Sequence, residues 1–302
     1  MKHFISYSDI KKEEIEELLE LTSQVKRHPE AYSESLSGKT LGMIFRKSST
    51  RTRISFEVGM YQLGGLALYF RGDELQLGRG ETIADTARVL SRYLDGIMIR
   101  TFSQDEVEEL SANAGIPVIN GLTDLLHPCQ ILADLFTIEE VFGKIGGVKV
   151  AYIGDGNNVL NSWLEASALL PIELNVSVPE GFGPDGAILD RALGSGLGKV
   201  SIKGSPEEAA QGADVIYTDV WVSMGQDDER DRRLMAFEGF QINSALCDLA
   251  SGEHIVMHCL PAHRGEEITD EVMDGPHSVV FTQAENRLHA QKALLIELLG
   301  GG

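Results

Sequence analysis

The chain has 302 residues, 43% hydrophobic and 24% charged, which is long enough for two ordinary domains and typical of a soluble globular protein. Its 46 acidic against 26 basic residues give a formal net charge of -20, which argues against nucleic acid as a partner because phosphates would be repelled. No stretch approaches the ~20 apolar residues of a membrane span, the acidic run Glu13–Glu17 is not a signal-peptide core, and three cysteines without paired spacing (Cys129, Cys247, Cys259) suggest a reducing cytoplasm.

Helical and strand-like segments alternate along the chain. Asp9 to Val25 has helical periodicity, and Leu41–Phe45 is a strand rich in apolar residues. It runs directly into Arg46-Lys47-Ser48-Ser49-Thr50-Arg51-Thr52-Arg53, after which Phe56, Met60 and Leu63 recur at helical spacing. Strand, loop and helix in that order set unpaired N–H groups and a positive dipole end beside the hydroxyls of Ser49, Thr50 and Thr52 and the fork of Arg51. Four basic residues in eight, on an acidic protein, ask for an anion, and this receptacle suits a phosphate-like dianion. The alternative is an N-capped helix with a solvated basic face. Strands at Leu66–Phe70, Gly96–Ile99 and Val118–Ile119 alternate with helices at Glu81 to Tyr93 and Ser103 to Ala114. The second of these helices opens on the capping box Ser103-Gln104-Asp105-Glu106. His127-Pro128-Cys129-Gln130 begins a helix from Pro128 to Phe142, with His127 at its N-cap and Gln130 one turn on. An imidazole and an amide there could donate to a carbonyl or accept from an amide; His127 could equally do no more than cap.

Gly146-Gly147 opens a second series. Val148–Ile153, Leu174–Val178, Val200–Ile202, Val215–Thr218 and Ile255–His258 read as strands, and Asn161–Leu170 reads as a helix. Pro206 marks a helix start, and Ala284 to Leu299 a closing helix. The rhythm predicts an α/β fold of two doubly wound parallel-sheet domains joined by helices. The first domain spans 1–145, with the helix of 284–302 packing back on it, and the second spans 146–283. Functional groups of such sheets gather at the carboxyl ends of strands. Gly154-Asp155-Gly156-Asn157-Asn158 lies at one such end. It starts like a dinucleotide fingerprint but has Val159 where the third glycine belongs, which disfavours NAD and leaves Asn157 or Asn158 for a polar ligand group. Asp219, at another strand end, is placed to meet a cation or to cap something local. Ser223-Met224-Gly225 reads as a mobile flap and Asp227–Arg233 as an exposed mixed-charge loop.

The second concentration of chemistry is His258-Cys259-Leu260-Pro261-Ala262-His263-Arg264-Gly265-Glu266-Glu267. Adjacent strand residues face opposite ways, so His258 and Cys259 are poor partners on one metal; no other spacing completes a zinc site, and no metal is expected. A thiolate at Cys259 needs nearby positive charge, for which Arg264 is the candidate; otherwise Cys259 is a small buried hydrophobe. Arg287, near the start of the last helix, offers one more guanidinium.

Ser-Ser-Thr-Arg-Thr-Arg with His-Pro-Cys-Gln resembles the carbamoyl-phosphate half of the transcarbamylases. Asp-Val-Trp-Val-Ser-Met-Gly, His-Cys-Leu-Pro-Ala-His-Arg-Gly-Glu-Glu and Ala-Glu-Asn-Arg are similar to the ornithine branch of that family. Each motif is weak singly, but their order from about Phe4 to Leu295 is specific. The resemblance implies that Ser49, Thr50, Arg51 and Thr52 hold phosphate, and that Gln76 reaches carbamoyl phosphate across a subunit interface. It implies that Arg100 contacts phosphate and carbonyl oxygen, and that His127 and Gln130 bind the carbamoyl group. Asn158, Asp219, Ser223 and Met224 would hold ornithine; Cys259 and Leu260 would lie beside the reacting amine, and Arg287 would assist at the carbonyl. Arg51, Arg100, His127, Cys259 and Arg287 would carry the catalysis, in a cytoplasmic trimer or multiple of trimers with no metal or organic cofactor. The implied reaction carbamoylates the δ-amine of ornithine to give citrulline and phosphate, in arginine biosynthesis or in arginine or citrulline catabolism. Its rivals are transfer to aspartate, putrescine or an N-acylated ornithine, a silent carbamoyl-phosphate or amino-acid sensor, and, more remotely, an NAD oxidoreductase.

Overall fold

The computed structural model describes residues 1–72, 80–222 and 227–300; the expected ligands Gln76, Ser223 and Met224, and the expected flap, lie outside the described residues. In chain order the elements are α1 (Lys12–Arg27), β1 (Thr40–Phe45), α2 (Thr50–Gln62), β2 (Leu66–Arg71), α3 (Ile83–Leu90), β3 (Gly96–Arg100), α4 (Gln104–Asn113), β4 (Val118–Leu122) and α5 (Pro128–Phe142). They continue with β5 (Lys149–Ile153), α6 (Asn158–Leu169), β6 (Glu173–Ser177), α7 (Gly186–Gly194), β7 (Lys199–Ile202), α8 (Pro206–Ala210) and β8 (Val215–Thr218). Last come α9 (Arg230–Ala236), α10 (Ser244–Cys247), β9 (Ile255–His258), α11 (Asp270–Met273) and α12 (Val280–Leu299). The chain forms two compact units, Met1–Phe136 with Glu285–Gly302, and Thr137–Ala284. Among the described residues no helix is long and apolar enough to cross a membrane.

The first unit holds a parallel sheet in the order β2-β1-β3-β4. From β1 the chain turns one way to β2 and later the other way to β3, so the carboxyl ends of β1 and β3 flank the point where the strand order reverses. That is where open parallel sheets bind ligands. Phe45 and Arg100 stand side by side there. Between Ile99 and Arg100 the pairing with β4 slips from Asn120 to Leu122, a bulge that skips Gly121. A side chain at Gly121 would press on the Met98 sulfur at 2.5 Å and the Ile99 carbonyl at 3.2 Å, so a larger residue there must displace both. Ile44, Ile97, Ile99 and Val118 from the sheet pack with Val107 and Leu110 of α4 and Ala87 of α3.

The second unit holds a parallel sheet in the order β7-β6-β5-β8-β9, which reverses between β5 and β8. The loop after β5 and Asp219 after β8 therefore share its ligand-binding end. Gly156 sits in that loop for a local reason: a Cβ there would strike the backbone of Phe182–Pro184 at 2.2–2.4 Å, and its N–H donates to the Phe182 carbonyl at 2.9 Å. The glycine admits a crossing strand of backbone, which accounts for half of the apparent dinucleotide fingerprint.

Three local expectations are corrected. Ser103 caps α4 by accepting from the Asp105 N–H, but Glu106 pairs with Arg46 and Thr101, so only half of the capping box forms. Much of the mixed-charge run belongs to α9, and Arg233 is buried rather than exposed, bonded to Asp155 at 3.1 Å and to the Trp221 carbonyl at 2.9 Å. The closing helix starts at Val280, a turn earlier than the expected start at Ala284.

Candidate active site

In the first unit the site begins at the N-terminus of α2. Ser49, in extended backbone, caps the helix by accepting from the Thr52 N–H at 3.3 Å, which leaves the other first-turn N–H groups pointing outward. Thr52 is fully buried, and its Oγ1 accepts from the Ser49 hydroxyl at 3.1 Å, from Arg287 Nη2 at 3.0 Å and from Arg100 Nη1 at 3.4 Å. Two guanidiniums from β3 and α12, themselves 6% and 4% exposed, thus meet on one neutral hydroxyl at a positive helix end. An anion is the natural complement.

The basic octet contributes differently from what its composition suggests. Arg46 pairs with Glu106, Lys47 with Asp124, and Arg53 with Glu57 at 3.1 Å while stacking on Tyr69. Arg51 alone of the four has no ion pair among the described residues, and it sits partly exposed on the first turn of α2. The case for an anion rests on convergence in space, not on clustered charge along the chain.

His127 ends a turn in which the Thr123 N–H donates to the Leu126 carbonyl and the Leu126 N–H to the Thr123 hydroxyl. Its carbonyl accepts the first bonds of α5 from Gln130 and Ile131, so it occupies the N-cap as expected. Burial, then Arg287 and Arg100, hold its pKa well below 6.5, so the imidazole is neutral and offers one N–H as a donor. Gln130 is buried with its Nε2 donating to Asp134 Oδ1 at 2.8 Å. A carboxylate only accepts, so this bond fixes the amide's orientation and leaves Gln130 Oε1 a buried acceptor with no hydrogen-bond partner among the described residues. The i, i+4 spacing of Gln130 and Asp134 was the signal for this pair, and sequence reasoning missed it. Cys129 is structural: its thiol donates to the Asn120 carbonyl, and burial pushes its pKa up to about 12.

In the second unit Asp219 is the centre. Its carboxylate accepts from the Val220 N–H at 2.8 Å, from the Cys259 thiol at 2.8 Å and from Asn157 Nδ2 at 2.7 Å. Asn157 Oδ1 also caps α6, so Asn157 is committed to holding this end of the sheet, and Asn158 stands beside it on the first turn. The charge expected beside Cys259 is not Arg264, which is engaged by Asp270 and Asp274 with its pKa raised by those bonds. Leu260 takes φ 57, a costly conformation for a residue with a Cβ, and its N–H donates to His258 Nδ1 at 2.9 Å. β9 stops at His258, so strand alternation does not govern Cys259; one ligand atom each from Asp219, His258 and Cys259 lie within 4.8 Å of one another, contrary to the expectation that the latter two face apart. Both ring nitrogens of His258 are nonetheless taken, Nδ1 by Leu260 and Nε2 by Glu267 at 3.1 Å.

Comparison with known proteins places these halves. Residues 2–140 match the family pattern described as the carbamoyl-P binding domain of aspartate/ornithine carbamoyltransferase, and residues 146–298 match its Asp/Orn binding domain. The chain is 55% identical to an ornithine carbamoyltransferase of Methanoculleus marisnigri over 100% of this chain and 98% of that one. It is 64% identical to one from Syntrophus aciditrophicus over 86% of each. The solved ornithine carbamoyltransferase from Pyrococcus furiosus superposes with a TM-score of 0.95 at 51% identity, covering 100% of this chain and 98% of that one.

Proposed function

The chain belongs to the aspartate/ornithine carbamoyltransferase family, and we propose that its two ligand-binding ends divide the labour of the reaction between carbamoyl phosphate and ornithine. The chain transfers the carbamoyl group of carbamoyl phosphate to the δ-amine of L-ornithine, giving L-citrulline and phosphate. The observation that carries the division is the convergence of Arg100 and Arg287 on Thr52, together with a His127 kept neutral first by burial and then by the same two cations.

In this reading Ser49, Thr50, Arg51 and Thr52 hold the phosphate through first-turn N–H groups, hydroxyls and the guanidinium. Arg100 spans phosphate and carbonyl oxygen, while His127 and Arg287 donate to that oxygen. Gln130 Oε1 accepts from the carbamoyl amide, supplying the donor that this buried oxygen lacks among the described residues. Asn158 and Asp219 take the α-amino and carboxylate end of ornithine, with Asp219 on the ammonium. Cys259 and Leu260 lie beside the reacting amine, and Gln76, Ser223 and Met224 are assigned from family likeness alone. Residues 1–145 with 284–302 serve as the carbamoyl-phosphate domain and 146–283 as the ornithine domain.

The amine, with a solution pKa of about 10.4, must attack as the neutral form. Its nitrogen bonds to the carbamoyl carbon, the carbonyl becomes an oxyanion, the carbon–oxygen bond to phosphate breaks, and the departing phosphate takes up the amine proton. Preorganised donors to such an oxyanion are worth roughly 3–4 kcal/mol each. Juxtaposing the two substrates contributes up to about 7–11 kcal/mol more in ideal cases. Because Cys259 donates to Asp219, we assign the thiol to orienting that carboxylate rather than to accepting the proton.

The trimer belongs to the same reading. Ile54 and Tyr61 on α2, with Leu66 and Leu68 on the edge strand β2, leave a run of large apolar side chains in solvent, Tyr61 at 81% exposure. Light scattering at three times the chain mass supports this assembly, and a monomer overturns it. A cytoplasmic setting suits three cysteines that are all free thiols. The function is tested by citrulline formation against an acceptor panel. Ornithine is expected to exceed aspartate, putrescine and N-acetylornithine in kcat/KM by several orders of magnitude, and a preference for any other acceptor overturns the ornithine assignment.

A further inference from the structure

Gln130 and Asp134 lie one turn apart on α5, both buried, with Gln130 Nε2 donating to Asp134 Oδ1 at 2.8 Å. A glutamine amide has two ends of nearly the same shape and opposite polarity, a carbonyl that accepts and an NH2 that donates. A carboxylate only accepts, so it can hold the NH2 end and not the other. Oε1 is thereby left as a buried acceptor with no hydrogen-bond partner among the described residues. The Gln130 N–H bonds to the His127 carbonyl at 3.1 Å in the first turn of α5, so this acceptor stands one turn along from the buried imidazole. The other groups assigned to the same ligand, Arg51, Arg100, Arg287 and the first-turn N–H groups of α2, all donate.

Resting on the carbamoyl-phosphate reading above, we propose that Asp134 is a positioning residue that sets the polarity of Gln130 and so makes the site select carbamoyl phosphate over acetyl phosphate. The two esters share the phosphate, the ester oxygen and the carbonyl, which are what guanidiniums and N–H groups recognise. They differ in one group of similar size, an NH2 in the first and a methyl in the second. Shape does not separate these two groups. Hydrogen bonding does, because a site built to bond an N–H rejects the analogue that leaves its buried polar atom unpaired. With Oε1 turned to the acyl group, carbamoyl phosphate supplies the missing donor, whereas acetyl phosphate sets a methyl against a buried oxygen. A reversed amide would oppose NH2 to NH2, and the preference would disappear. Gln130 reads the group, and Asp134 acts through it by deciding which end does the reading.

The test is a double-mutant cycle on the full chain, with the affinities of carbamoyl phosphate and acetyl phosphate each measured by calorimetric titration. The unaltered chain is expected to bind carbamoyl phosphate roughly 10- to 100-fold more tightly than acetyl phosphate, the span set by one unsatisfied buried acceptor. Asp134→Asn offers Gln130 a donor as well as an acceptor and is expected to cut that ratio at least about fivefold, with Asp134→Ala moving it the same way. Gln130→Met is expected to bring the ratio within about threefold of unity, and adding Asp134→Asn to it to change the ratio no further. A ratio near unity in the unaltered chain, or a ratio unmoved by both Asp134 variants, overturns the proposal. So does an effect of Asp134→Asn on the ratio that persists without Gln130. An unaltered chain that binds neither ester instead overturns the carbamoyl-phosphate reading on which this inference rests.

Discussion

Arg51, Arg100 and Arg287 are chemically identical but differently placed: the first lies partly exposed on a helix turn, and the other two are buried and share the Thr52 hydroxyl. Arg51→Met is expected to lower kcat for citrulline formation by roughly 10²- to 10³-fold, the usual loss for one preorganised donor, while leaving thermal unfolding unchanged. A loss below tenfold in steady-state kinetics would remove Arg51 from the catalytic set. His127 makes a prediction in pH. Its folded pKa lies well below 6.5, so above 6.5 it is neutral in both folded and unfolded chains and its contribution to stability is fully present. As pH falls below 6.5 the unfolded chain gains a proton that the folded chain resists, and stability drops. His127→Gln should therefore flatten the fall in melting temperature from about pH 6.5 to about pH 5, whereas an unchanged slope by calorimetry would contradict the buried neutral imidazole. At this scale the residue types were legible and the partners were not. The Arg46–Arg53 octet pointed to an anion, yet three of its four charges are neutralised by Glu106, Asp124 and Glu57, which lie up to 77 residues away for Lys47. No local pattern shows such pairings.

The elements themselves place the site through their ends. Ser49→Ala removes the cap of α2 and is expected to cost about 1 kcal/mol of stability together with a weaker hold on carbamoyl phosphate, measured by denaturant unfolding and calorimetric titration. Gly121→Ala acts from the far side of the same site. Met98 must swing aside and the Ile99 carbonyl must shift, so the bulge that positions Arg100 is disturbed at an expected cost of about 1–3 kcal/mol, checked by unfolding. Elements with strong apolar runs or a proline start were read closely from sequence: α5, α8, β8 and β9 begin where the proline and strand signals put them. α9 resembles a loop in sequence because Arg230-Asp231-Arg232-Arg233 shows no apolar stripe, and its buried contact is an ion pair of Arg233 with Asp155, whose own pKa burial pushes up to about 6. Charge that folds inward against one distant carboxylate looks like solvated charge in one dimension.

Across the whole chain, the first unit is completed by its last helix. Lys26 donates to Asn286 at 2.8 Å, Lys292 to Gln62 at 3.1 Å, and Arg287 to Thr52 across 235 residues, while Leu294, Leu295 and Leu299 of α12 are buried. Leu295→Ala is accordingly expected to cost 2–5 kcal/mol, roughly, in denaturant unfolding, the range for an emptied core position. The periodicity of this helix is plain in the sequence, but the site it completes depends on a contact that closes only when both ends of the chain are folded together. The account therefore stands most directly on the affinity of Arg287→Met for carbamoyl phosphate, measured by calorimetric titration on a variant whose circular dichroism matches the unaltered chain. Loss of a charge-assisted bond predicts a Kd raised roughly 10- to 100-fold. An unchanged Kd in a folded variant would contradict the convergence of distant cations on one phosphate ester.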